Sequence, residues 1–199
     1  MKIEINDVLF WMDAIRNSND NYRVLESFWK GQINSKIWLI KNLEKNVAEK
    51  KYSIVIYGGW FGVLATLLFN SDIEVEQILS VDKDPVCKDI CYTINKNYEI
   101  EGRFKAETAD MANYYCKSDI AINTSCEHIS QTTYDKWLAN ISEDTIIVLQ
   151  SNNFYSCSEH IRCASNLQNF IDMSNIKPSF SGVLETEKYD RFMIIGKKI

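Results

Sequence analysis

Proline and glycine are scarce, with two and seven residues among 199, which excludes long linkers and low-complexity stretches. No apolar run reaches the roughly 18 residues that a membrane-crossing helix needs. The opening residues, Met1-Lys2-Ile3-Glu4-Ile5-Asn6-Asp7, carry acids where an export signal needs a basic start and a long apolar core. A cytoplasmic chain with no membrane partner is therefore expected. Basic residues are also outnumbered, 22 against 27 acids for a net charge of −5, which disfavours a nucleic-acid partner. Absent too is any Cys-x-x-Cys pair among Cys87, Cys91, Cys116, Cys126, Cys157 and Cys163. Without an export signal disulfides are not expected, and Cys157-x-x-His160-x-x-Cys163 matches no common zinc module. We expect free thiols and no metal site, with Cys87 and Cys91, four residues apart, packing on one helix face.

What the chain does have is apolar residues, 46% of the total, enough for the sizeable core of a single domain. Apolar positions at three- and four-residue steps predict a helix over 22–49, broken at Gly31. Alternating strands and helices follow: strands at 53–57, 77–81, 103–108, 118–123 and 145–150, and helices at 62–69, 84–97, 134–139 and 160–173. Two final strands, 180–186 and 191–196, are joined by a link short enough for a hairpin. This order predicts an α/β fold: a mostly parallel seven-stranded sheet with helices on both faces and a C-terminal antiparallel hairpin. Residues 1–49 form an N-terminal helical cap, part of the same domain as the 50–199 core.

The segment Ser53-Ile54-Val55-Ile56-Tyr57-Gly58-Gly59-Trp60-Phe61-Gly62-Val63 is a buried strand, a glycine cluster and a helix start. Glycines there also serve tight packing, but three within five residues favour a backbone that approaches a nucleotide-like cofactor. The dinucleotide pattern Gly-x-Gly-x-x-Gly fits in neither register, since it meets Trp60 and Val63 or Phe61 and Leu64. The looser Gly-x-Gly-x-Gly turn fits at Gly58 and Gly62, with Trp60 replacing the middle glycine. In this the chain resembles class I S-adenosylmethionine-dependent methyltransferases. Asp82 at the end of the second strand, Asp110-Met111 after the third, Asn123-Thr124-Ser125 after the fourth and the terminal hairpin extend the resemblance over about residues 50–199.

The resemblance implies S-adenosylmethionine as cofactor, with Gly58, Gly59, Trp60 and Gly62 along its backbone path. Asp82 would take the ribose hydroxyls, and Asp110 and Met111 the adenine. The acid that the family often carries two residues before the first glycine is Ile56 here, and Gln32, Ser35 and Lys36 are candidates for the missing polar contacts to the amino-acid end. Asn123, Glu127 and His128 stand at the expected methyl-transfer site, His128 as the foremost candidate base. The expected activity is methyl transfer to N or O of a small molecule. Two other readings stay open: a methyltransferase of a protein or nucleic-acid amino group, and a catalytically idle cofactor-binding or interaction module. The sequence indicates no oligomeric state.

Overall fold

A computed structural model describes residues 1–199. Three helices, α1 (Ile5–Asn17), α2 (Asn21–Ser27) and α3 (Lys30–Asn46), precede the first strand. Strands β1 (Tyr52–Tyr57), β2 (Val75–Asp82), β3 (Phe104–Thr108), β4 (Ile120–Asn123), β5 (Ile146–Asn152), β6 (Ile176–Glu185) and β7 (Asp190–Lys198) form one sheet in the order β3-β2-β1-β4-β5-β7-β6. The first five run parallel, and β7 lies antiparallel to both β5 and β6. The crossover helices are α4 (Val63–Phe69), α5 (Val86–Ile94), α6 (Lys96–Ile100), α7 (Gln131–Ala139) and α8 (Leu167–Asp172). Buried parallel strands need apolar side chains on both faces. Ile54, Val55, Ile56 and Tyr57 of β1 and Ile120, Ala121 and Ile122 of β4 are accordingly all buried.

One face of the sheet shares a core of 28 buried residues that includes Ala14, Val24, Leu39, Ile40 and Leu43 of the first three helices, against 16 on the other face. The N-terminal helices are thus integral to the larger core. Asp7 of α1 is fully buried, and its carboxylate accepts from Asn70 Nδ2, Asn97 Nδ2 and Tyr98 OH, each at 2.7 Å. These bonds tie α1 to the end of α4 and to α6.

Several boundaries differ from those expected. The helix predicted over 22–49 breaks at Phe28-Trp29, not at Gly31: Ser27 Oγ donates to the Val24 carbonyl at 2.6 Å, and Trp29 turns extended with ψ 146°. Gly31 then falls in the first turn of α3. Helix α1 escapes a periodicity reading because Ile5, Leu9 and Met12 are exposed while only part of its apolar set faces inward. The helix expected over 160–173 is confined to α8. Upstream of it, Ile161 N and Arg162 N donate to the Glu127 carbonyl at 2.9 and 3.0 Å, and Ala164 N to that of Asn152 at 3.1 Å. Backbone bonds directed sideways to other elements cannot build a helical turn. Pro178 is accommodated on β6, an edge strand, beside a register shift.

Candidate active site

Between β1 and β4 the chain changes direction across the sheet, and ligands of open parallel sheets bind beyond the carboxyl ends of strands at such a point. A surface depression of about 680 Å³, lined by Lys50, Asp119 and Lys197 among others, lies at the opposite, amino end of the strands. The cofactor candidates gather at the carboxyl end.

Gly58, Trp60 and Gly62 have φ of 65°, 49° and 77°. The loop therefore keeps a left-handed residue at every second position, even where tryptophan replaces glycine, at a cost of about 1–2 kcal/mol for that residue. Three bonds compensate. Asp82 Oδ2 accepts from Trp60 N at 2.8 Å, Gly58 N donates to the Val81 carbonyl at 2.9 Å, and the Cys91 thiol donates to the Trp60 carbonyl at 2.9 Å. Burial pushes Cys91 well above its ordinary value, so it remains a thiol and a donor. The Trp60 ring, half-buried, stacks on Phe61 with centroids 5.1 Å apart. Arg23 of α2 lies over the Phe61 ring and pairs with Asp84 at 2.6 Å, so the N-terminal helices reach this loop.

The three glycines differ in what they permit. A Cβ at Gly58 would lie 3.4 Å from Ser125 Oγ and 3.8 Å from Met111 Cε, which marks it as the bare backbone between β1 and the segment after β4. At Gly62 it would come 2.6 Å from Asn95 Nδ2 and 3.2 Å from Cys91 Sγ, and at Gly59 it would collide with Ser80. Those two glycines serve close packing first. Asp82 Oδ1 also accepts from Asp84 N at 3.0 Å, and two carboxylate oxygens retain acceptor capacity beyond these two bonds. Asp110 is exposed, its Oδ1 accepting from Ala112 N at 2.9 Å, and the neighbouring Met111 is half-buried. Both follow β3, beside Asp82.

Ile56 is buried in the core. On α3, Ser35 is buried and bonds Gln150 Oε1 at 3.0 Å, while Lys36 Nζ donates to Gln32 Oε1 at 2.9 Å. Burial, and second the charge of Arg191, lower the Lys36 ammonium to about 7.

Beyond β4 the site is built from charged side chains. Glu127 lies in a 3-10 turn (Cys126–His128) and is buried. Its Oε1 accepts from Asn152 Nδ2 at 2.7 Å and Arg191 Nη1 at 3.1 Å. Arg191, at the start of β7, also donates to Gln150 Oε1 at 3.2 Å and the Thr124 carbonyl at 2.5 Å. Asn123 is fully buried, with Oδ1 accepting from Ser125 N at 3.0 Å and Nδ2 turned to Met111 Sδ at 3.6 Å. His128 is exposed, yet the protein around its ring lowers the imidazole below 6.5, chiefly by burial, with Glu127 opposing and His160 adding to the shift. Its ring stands edge-on to His160, centroids 4.6 Å apart. The structure thus brings Asn123, Glu127, His128 and His160 to one mouth and adds Asn152 and Arg191, which carried no local signal in the sequence. All six cysteines are free.

No protein-family model and no curated protein matches the sequence. In structure the chain is similar to magnesium protoporphyrin IX methyltransferase from Synechocystis with bound S-adenosylmethionine, at TM-score 0.67 and 11% identity over 96% of this chain and 90% of that one. It is also similar to an N-methyltransferase from Bradyrhizobium japonicum, at TM-score 0.66 and 10% identity over 84% of this chain and 96% of that one. A geranyl diphosphate C-methyltransferase from Streptomyces coelicolor gives TM-score 0.64 and 9% identity over 84% and 76%. With the strand order, the reversed β7 and these neighbours together, the chain has the fold of the class I S-adenosylmethionine-dependent methyltransferases.

Proposed function

We propose that the protein is an S-adenosylmethionine-dependent methyltransferase acting on N or O of a small-molecule acceptor. The observation that carries this reading is the loop Gly58–Gly62, left-handed at alternate residues and held to Asp82 through Trp60 N. A bare backbone path with a carboxylate beside it suits a ribose and the chain attached to it. Asp82 takes the ribose hydroxyls, Asp110 and Met111 flank the adenine, and Gln32 and Lys36 meet the amino-acid end where Ile56 offers no charge. Structural neighbours with bound S-adenosylmethionine support the choice of cofactor.

The sulfonium already activates the methyl group, so the protein has to align methyl and nucleophile, exclude water and accept one proton. The neutral imidazole of His128 accepts that proton beside the buried Glu127 carboxylate, and Asn123 shapes the turn that presents them. Calorimetric titration with S-adenosylmethionine and its demethylated product tests the binding. Labelled cofactor incubated with fractionated metabolites, protein and RNA tests the acceptor class. Binding to neither compound overturns the reading, and label entering only protein or RNA overturns its acceptor.

A further inference from the structure

The mouth beyond β4 contains a group that methyl transfer leaves unexplained. Glu127 is 2% exposed, and while its Oε1 is held by Asn152 and Arg191, its buried Oε2 has no hydrogen-bond partner. An orphaned buried carboxylate oxygen is rare and destabilising unless something occupies its lone pairs. A carboxylate oxygen of Glu127 and one nitrogen each of His128 and His160 lie within 4.8 Å of one another. Two residues come from the turn after β4 and the third from 32 positions further on. The Glu127 carbonyl, accepting from Ile161 N and Arg162 N, pins that distant segment in place.

His160 is prepared as a ligand. Its Nδ1 sits 2.9 Å from the Phe154 carbonyl, which can only accept, so Nδ1 carries the proton and Nε2 presents its lone pair. Metal-binding histidines are held by such an outer hydrogen bond. The nearby Cys163 thiol is turned to Asn152 Oδ1 and the Phe154 carbonyl, at 3.6 Å each.

We propose that Glu127, His128 and His160 bind one divalent first-row transition ion, leaving its remaining coordination positions open. Two imidazoles and one carboxylate suit Zn²⁺, Mn²⁺ or Fe²⁺ better than the all-oxygen shells preferred by Mg²⁺ and Ca²⁺. Closing of the rings by side-chain rotation brings the nitrogens to the about 2.1 Å of a metal–imidazole bond. The ion's use, unlike the site itself, rests on the methyltransferase reading. An acceptor hydroxyl on the ion loses its proton to solvent, and its oxygen lone pair forms the bond to the methyl carbon. The carbon–sulfur bond breaks with its electron pair remaining on sulfur. With the ion bound, His128 serves as ligand and no longer as base.

The test uses the full chain stripped of metal, titrated with Zn²⁺ against a chromophoric chelator and with Co²⁺ by visible absorption. S-adenosylmethionine is titrated in parallel. One equivalent of Zn²⁺ should bind, and the Co²⁺ spectrum should lack a thiolate charge-transfer band. His128→Ala and His160→Ala should each weaken binding about tenfold or more. Both side chains are surface or half-buried, so these variants should keep the parent's circular dichroism, and the double variant Cys157→Ser/Cys163→Ser should bind as the parent does. No stoichiometric uptake, or uptake untouched by both histidine variants, overturns the proposal. If Zn²⁺ binds as expected and S-adenosylmethionine does not, the metal site stands and the methyltransferase reading falls.

Discussion

Two neighbouring halves of the same sheet edge are built by opposite means. Over β1–β3 the walls are backbone: a loop of alternating left-handed residues, fixed by the single carboxylate of Asp82 and by the Cys91 thiol. Over β4, β5 and β7 they are side chains, with Glu127, Asn152, Gln150 and Arg191 linked through buried hydrogen bonds. A backbone cradle needs little more than glycines and one acid at a fixed spacing, and it tolerates even Trp60. A buried ionic lattice needs every member at once, because a charge left alone in the interior costs far more than the pair gains.

The largest expected effect breaks the second half. Arg191→Leu leaves Glu127 buried without its cation and should destabilise the fold by about 3–5 kcal/mol in denaturant unfolding. Adding Glu127→Gln to that variant should recover part of the loss. Next comes Asp82→Ala, which should weaken S-adenosylmethionine binding by about 1–3 kcal/mol in calorimetric titration, the cost of unpaired ribose hydroxyls. If Arg191→Leu, measured where it is still folded, weakens cofactor binding more than Asp82→Ala does, the two halves are not separable.

Lys36 sharpens the boundary between them. Its ammonium is lowered to about 7 by burial and by Arg191, so at about pH 8.5 the free protein holds it mostly neutral. A carboxylate arriving beside it raises that value, so cofactor binding should take up a proton and affinity should fall as pH rises. Titration in buffers of different ionisation enthalpy measures the uptake, and Lys36→Met should abolish it. The smallest effect lies away from both halves. Asp119 is lowered to about 2 by bonds from Ser53 and Lys50, so its stabilisation is present above its unfolded value of 3.8 and is lost as pH falls through 2. Asp119→Asn should flatten the acid limb of the stability curve there while leaving cofactor titrations unchanged.

The same contrast explains what could be read from the residues alone. The strand–glycine–helix signal at 53–63, Asp82 and the terminal hairpin are local patterns, and the sheet order follows from them. The cradle around Gly58 belongs to this legible part, although spacing could not separate it from Gly62, whose Cβ would meet Asn95 and Cys91 of a different helix. Arg191 and Asn152 are paired with Glu127 across 64 and 25 residues, and no periodicity reports such a meeting. His160 heads the helix expected over 160–173, of which only Leu167–Asp172 forms, because the backbone just after His160 bonds to Glu127. The cysteine spacings carry no metal signal, and the orphaned oxygen of Glu127 is visible only once the chain is folded.

The position of β7 ties the second half to the last strand of the chain. Residues 52–108 bring β1, β2 and β3 together from neighbouring stretches of chain, so the Gly58–Gly62 loop and Asp82 meet through local connections. Strand β7 inserts between β5 and β6 and delivers Arg191 to Glu127 only when residues 190–198 exist. A nascent or truncated chain lacking them exposes the edge of β5 and leaves Glu127 uncompensated. Completion of the ionic lattice around Glu127 is therefore coupled to completion of the sheet.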